Sequence, residues 1–217
     1  MAEGRLFIGT KMYSSWSLRG WLAVRLAGLD VEEVVIPLAG GSTPAVKDAT
    51  PSGTVPYLEH RGARVWESLA IIEYCAELAP SLWPEDPVAR AHARSIAAEM
   101  HAGFRGLRMA MPMTLLNRFP GQGRTPEALA DIARIEAIWR EALLESGGPF
   151  LFGASFGAAD AMFAPVACRF LTWEPEISET SRAYVEAVRD HPLLRRWYDE
   201  AAAEPAAWRL PKYEPNL

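Results

Sequence analysis

The sequence predicts an α/β unit of order βαβ-ββα followed by an all-α helical bundle. Three observations predict it. Strand-like and helix-like apolar runs alternate through the first 78 residues. Pro80, Pro84 and Pro87 then fall within eight residues, which breaks any helix and marks a linker. Beyond them the apolar residues recur at helical spacing, between recognisable start and stop signals. The expected division is a first domain 1–80, a linker 81–86 and a helical domain 87–217.

Each element has its own signal. Leu6, Phe7 and Ile8 form a short apolar run, followed by a polar turn over 10–15 and a helical pattern through Leu18, Trp21, Leu22 and Leu26 that stops at Gly28. Residues 31–37 are strand-like, completing a βαβ unit, and residues 39–44 are expected to form a loop. Residues 55–60 and 63–66 flank a tight Arg61-Gly62 turn, the pattern of a hairpin. Ser68 is expected to cap a helix over 69–78, with a wide apolar stripe through Leu69, Ile71, Ile72, Cys75 and Leu78.

In the second domain Asp86 is the expected N-cap and Pro87 the first helical residue, with Met100, Phe104, Leu107 and Met111 continuing at spacings of 4, 3 and 4. Thr125, Pro126 and Glu127 start a long helix that ends at Gly147-Gly148. Further helical patterns cover 158–171, 181–189 and 192–203. No repeat of fixed period is visible.

Composition narrows the function classes. The chain has 217 residues, half of them hydrophobic and 23% charged, which is ordinary globular usage. Lys plus Arg is 22 and Asp plus Glu is 27, so the net charge of −5 argues against nucleic acid as a partner. Two cysteines cannot build a disulfide framework, and a reducing cytoplasm is the simplest setting. The four histidines have no i, i+4 pair and no CxxC accompanies them, so no metal is expected. The start of the sequence lacks a basic leader and an apolar h-region, and no window holds 18 uninterrupted apolar residues, so no membrane association is expected.

Three segments could carry chemistry. Tyr13-Ser14-Ser15-Trp16-Ser17 lies between strand and helix, where backbone N–H groups and the helix dipole favour negative charge. One serine would serve as an N-cap, but three hydroxyl groups exceed what capping requires. Gly53-Thr54-Val55-Pro56 places an extended Val55 before proline, able to meet an extended peptide as an added strand. Glu67-Ser68 opens a helix and offers a carboxylate for an amine, and a hydroxyl with N–H groups for a carboxylate. Each segment alone also reads as an ordinary cap or strand start.

Together they resemble the glutathione transferase family. Tyr13-Ser14-Ser15-Trp16-Ser17-Leu18-Arg19 is similar to the serine motif of its zeta and related bacterial classes. Ser52-Gly53-Thr54-Val55-Pro56-Tyr57-Leu58 and Glu67-Ser68-Leu69-Ala70-Ile71-Ile72-Glu73-Tyr74 resemble its glutathione-site segments, and the likeness spans essentially the whole chain. The resemblance implies a thioredoxin-like first domain and an electrophile site carried by the helical domain. It implies a cis Val55-Pro56 bond, with Val55 presented to the cysteinyl backbone of glutathione as co-substrate. Glu67 would take the γ-glutamyl ammonium, Ser68 the γ-glutamyl carboxylate, and Lys47, in the preceding loop, the glycyl carboxylate.

With Arg19 anchoring the motif, Ser14 aligns with the family's catalytic serine, Ser15 and Ser17 are alternatives, and Tyr13 is a fourth because some classes use tyrosine. Ser17 is also expected among the glutathione-binding residues. The electrophile would lie against the first helix of the second domain, beside a stripe of His101, Arg105 and Arg108 with Met109 and Met113. Trp208 and Tyr213 either cover that pocket or pack down.

The implied reaction is attack of the glutathione thiolate on a soft electrophile by a cytoplasmic homodimer. The alternatives are a glutathione-dependent isomerase, peroxidase or dehalogenase, or a non-catalytic ligand-binding or scaffold protein on the same fold. Trp16 stands where several zeta relatives carry cysteine, which speaks against isomerisation of maleylacetoacetate. No cysteine near Ser14 speaks against thiol-disulfide exchange. Phe156-Gly157-Ala158-Ala159-Asp160 resembles the family's helix-capping segment, with Asp160 bonding back to the cap N–H.

Overall fold

The computed structural model describes residues 2–213. Four strands, β1 (Gly4–Gly9), β2 (Glu32–Ile36), β3 (Tyr57–His60) and β4 (Ala63–Trp66), form one sheet in the order β2-β1-β3-β4. β1 runs parallel to β2, and β3 is antiparallel to both of its neighbours. The β3–β4 hairpin turns through Arg61 and Gly62, both at positive φ (48° and 85°), a two-residue geometry that glycine makes possible. Helices α1 (Ser15–Leu26), α2 (Pro44–Ala49) and α3 (Ser68–Leu78) complete the first domain, a thioredoxin-like arrangement. A 3₁₀ turn at Pro80–Leu82 leads to six helices: α4 (Pro87–Ala102), α5 (Arg105–Ala110), α6 (Pro126–Ser146), α7 (Ala158–Trp173), α8 (Glu179–Asp190) and α9 (Pro192–Ala202).

One continuous hydrophobic core joins both domains, running from Leu6 and Leu18 through Met100 and Trp139 to Trp197. α1 is therefore buried on nearly all sides. It packs on α3 within its own domain and on α7 and α9 of the other. A helix that ordinarily shows one apolar stripe here hides Ser15, Ser17 and Arg19 as well.

The local start signals are realised where the sequence carries them. Asp86 accepts from the Ala89 N–H at 2.8 Å, and Thr125 accepts from the Ala128 N–H at 3.2 Å. Three expectations are corrected. Residues 44–49, following the expected loop, form α2, with Pro44 as the first helical residue, so Lys47 lies on a helix and not in a loop. The pattern through residues 100–111 is not continuous: α4 ends at Gly103, and Phe104 turns left-handed (φ 60°, ψ 42°) before α5. The break is held from a distance, because the Leu107 N–H in the first turn of α5 donates to Asp131 on α6 at 2.9 Å. The N-cap of α3 is Glu67 at φ 69°, and Ser68 is the first helical residue.

Asp160 anchors α7. Its carboxylate accepts the Gly157 N–H at 2.9 Å, the Leu151 N–H at 3.0 Å and the Tyr184 O–H at 3.0 Å. Full burial outweighs these donors and pushes its pKa from 3.8 up to about 6. A carboxyl whose pKa is raised on folding contributes stability that is present in acid and lost as pH rises, here between 3.8 and about 6. Asp160→Asn should cost about 1–2 kcal/mol through the lost acceptors. The advantage of the wild type over this variant should shrink between about pH 4 and pH 7. Denaturant midpoints of both proteins at the two pH values check this, and an advantage that stays constant contradicts it.

Candidate active site

The turn between β1 and α1 is fixed before any ligand is considered. Lys11 is buried, and its ammonium pairs with Glu33 at 2.7 Å and with Glu200 of α9. Its backbone N–H donates to Glu204 at 2.5 Å, and the Trp197 indole N–H donates to its carbonyl at 3.1 Å. The Leu210 N–H donates to the Tyr13 hydroxyl at 3.1 Å, and the Tyr213 ring lies 5.4 Å from that of Tyr13. The tail therefore packs on the Tyr13 side of the turn. Trp208 lines a groove with Lys11, Glu200 and Glu204, away from the serines.

Ser14 is the N-cap of α1 and Ser15 its first residue, each retaining a sliver of exposure, 7% and 8%. The Ser14 hydroxyl accepts from the Ser17 N–H at 3.3 Å and donates to Ser17 Oγ at 2.8 Å. Ser17 Oγ also accepts the Gly9 N–H at 2.9 Å and is fully buried. Ser17 is thus a strut between β1 and α1 and does not face a ligand, contrary to its expected binding role. Ser15 Oγ accepts from Arg169 Nη2 at 3.4 Å.

Val55-Pro56 is cis, as the resemblance implies. Gly20 of α1 sits directly under Pro56: a Cβ there would come within 2.8 Å of the Pro56 ring, so only glycine lets the helix approach so closely. Val55 is half-buried beside it, and Lys47 is exposed on α2, under the Gly53 turn. At the start of α3 the Ser68 hydroxyl is fully buried and meets no partner among the described residues, an arrangement that ordinarily costs energy. Glu67 projects outward and lies 3.7 Å from His101 Nε2.

The helical domain contributes unevenly. Trp16 is flanked by cations: the Arg19 and Arg108 guanidiniums lie 4.7 and 4.6 Å from its ring centroid, and His101 meets its ring edge-on at 5.2 Å. Arg105 and Met109 face elsewhere, lining a groove of about 510 Å³ with Thr125 and Glu127 at the start of α6. Because Gly103 and Phe104 break the helix, His101, Arg105 and Arg108 do not form one stripe. Met113 is buried in the core.

The site also includes two residues that sequence reasoning did not assign to it. Arg19 is fully buried, donating its Nε–H to the Met162 carbonyl at 2.8 Å, while both terminal nitrogens lack partners among the described residues. Burial, then Arg108 and Arg169, drive its pKa well below the usual arginine value. Arg169 of α7 is buried as well, and burial followed by Arg108 lowers it to about 10. The available signal was a lone charge inside an apolar helical run, Leu18-Arg19-Gly20-Trp21 and Ala167-Cys168-Arg169-Phe170. Both cysteines are free and buried, and burial raises their thiols, Cys75 to about 12 and Cys168 to about 11.

A thioredoxin-like domain with serines at the head of its first helix, docked on an all-helical domain, defines a two-domain enzyme of the glutathione transferase type. Family models agree. That for the glutathione S-transferase N-terminal domain matches residues 13–78, and that for the C-terminal domain matches residues 122–200. The sequence is 30% identical over 166 residues to a probable maleylacetoacetate isomerase of Caenorhabditis elegans, covering 71% of this chain and 76% of that protein. It is 29% identical over 197 residues to glutathione transferase GST 23 of Zea mays, covering 88% and 83%. The crystal structure of a glutathione transferase homologue from Burkholderia gl BGR1, with bound glutathione, superimposes with a TM-score of 0.71 at 20% identity, over 93% of this chain and 99% of that one. The chain belongs to the glutathione S-transferase family, and its enzyme class is glutathione transferase.

The position of Glu67 has a measurable electrostatic effect. Burial lowers the His101 pKa, the Glu67 carboxylate opposes that, and Arg19 and Arg108 reinforce it. Glu67→Gln should therefore lower the His101 pKa further, read from its imidazole resonances in an NMR pH titration. An unchanged or higher value contradicts the pairing.

Proposed function

We propose that this protein binds glutathione along Val55, Glu67 and Ser68, ionises its thiol at the Ser14–Ser15 head of α1, and lets the thiolate attack a soft electrophile, so that the whole glutathionyl group is joined to it through sulfur. The observation that carries this reading is the pair of serine hydroxyls at the N-terminus of a helix buried by both domains. A thiol of pKa about 8.5 is only about 3% ionised at pH 7. Lowering that pKa by about two units makes it about three-quarters ionised, for about 2.7 kcal/mol, which a charge-assisted hydrogen bond and a helix N-terminus supply. Val55 offers its backbone to the cysteinyl unit, and the partnerless Ser68 hydroxyl suits the γ-glutamyl carboxylate. Glu67 takes the ammonium, and Lys47, on α2, the glycyl carboxylate.

The electrophile then lies near Trp16, His101 and Arg108, with Arg105 and Met109 outside the pocket. We place the domain boundary in residues 81–86 and read the enzyme as a cytoplasmic homodimer with a detoxifying role. Exposed Trp66 and Leu78 on β4 and α3 suit a subunit interface. A second reading, glutathione-dependent isomerisation, draws on the Caenorhabditis relative; Trp16 in place of cysteine weighs against maleylacetoacetate itself.

Glu67→Ala and Ser68→Ala should each weaken glutathione binding about tenfold in calorimetry, and unaltered affinity in both would remove the γ-glutamyl placement. The double variant Ser14→Ala/Ser15→Ala should return the pKa of bound glutathione to near that of the free thiol, followed by thiolate absorbance. Turnover across electrophiles, hydroperoxides and cis-alkenes separates transferase from isomerase and peroxidase. Binding without any turnover would leave only a carrier role.

A further inference from the structure

We propose that Ser15 is the hydroxyl that donates to the glutathione thiolate, and that Arg169 of the helical domain positions and polarises it. The inference rests on the glutathione-thiolate reading above and deepens it. Two serines stand at the head of α1, and their hydrogen bonds distinguish them. The Ser14 proton is committed to Ser17 Oγ, within a closed set completed by the Ser17 and Gly9 N–H groups. Ser15 Oγ accepts from Arg169, which leaves its own proton free to donate. A hydroxyl that accepts from a cation is polarised toward giving up its proton to a second partner.

Arg169 is built to hold that orientation. Its Nε–H donates to the Met111 carbonyl at 2.9 Å and its Nη1–H to the Pro165 carbonyl at 3.0 Å, which fixes the guanidinium plane and directs Nη2 to Ser15. The charges around it favour an anion. From α1, Arg19 donates, among the described residues, to the Met162 carbonyl alone. From α5, Arg108 donates to the carbonyls of Met100, His101 and Gly103. Among the described residues no carboxylate is hydrogen-bonded to any of the three guanidiniums; Glu67 is paired with His101, and Asp131, whose charge reaches Arg108, receives the Leu107 N–H and leaves Arg19 and Arg169 without a carboxylate partner. Buried positive charge without an ionic partner is costly. A thiolate beside Ser15 supplies the missing negative charge, the glutathione proton leaving to solvent and the sulfur lone pair remaining to attack carbon.

The test is the thiol pKa of bound glutathione, by ultraviolet titration of the wild type, Ser14→Ala, Ser15→Ala, Arg169→Met, Arg169→Lys and the pair Ser15→Ala/Arg169→Met. Ser15→Ala should raise the pKa by about one unit or more, Ser14→Ala by much less, and Arg169→Met by a large part of the Ser15 effect. The double variant should add little to Ser15→Ala alone, and Arg169→Lys should recover part of the shift, while glutathione affinity changes little in the single variants. A purely structural Arg169 would lower the melting temperature and leave the pKa in place. An unshifted pKa in Ser15→Ala overturns the proposal, even if Arg169→Met does not fold, and so do additive effects in the double variant. A wild type that binds glutathione without depressing its pKa instead overturns the thiolate reading itself.

Discussion

The burial of α1 between two domains is the constraint on which the rest of the molecule depends. A helix covered by α3 on one side and by α7 and α9 on the other cannot shift without disturbing a core shared by both domains. Its N-terminus is consequently a fixed point, and the helix dipole there is held still beside Ser14 and Ser15. Gly20 brings the same helix against Pro56, so the cis Val55-Pro56 segment is referenced to the same rigid body. Positioning by a buried helix is more exact than positioning by a loop.

The price of that arrangement is electrostatic. Three arginines at the junction take only neutral oxygens as hydrogen-bond partners among the described residues, and Trp16 lends its ring to two of them. Cation–π contacts of this kind contribute about 0.5–2 kcal/mol each, less than the cost of dehydrating a guanidinium. Such departures from ordinary packing concentrate where chemistry is done. Here they lie beside the serines and not at random in the core.

What was legible in the sequence follows the range of the forces involved. Asp86-Pro87, Thr125-Pro126 and Gly157 with Asp160 are caps closed within four residues, and each sits where its letters place it. The βαβ-ββα order was readable because strand and helix periods differ, and the family because residues 13–19, 52–58 and 67–74 carry its particular letters. The break after α4 was not readable, since Asp131, which stabilises it, lies on another helix. Ser17 looked equivalent to its neighbours until the Gly9 N–H claimed its hydroxyl. Arg19 and Arg169 are far apart in sequence, and only docking of the domains brings their charges to one place.

The turn that leads into the serines is completed by residues nearly 200 positions further along the sequence. Lys11 is held by Trp197, Glu200 and Glu204, and Tyr13 by Leu210, all contributed by residues 197–210. During synthesis the first domain can form its sheet early, but these ties are absent until α9 and the segment through Leu210 have been made. Contacts of such long sequence separation form late and slowly. Until residues 197–210 are in place, the turn before α1 lacks the contacts that hold it in the folded protein.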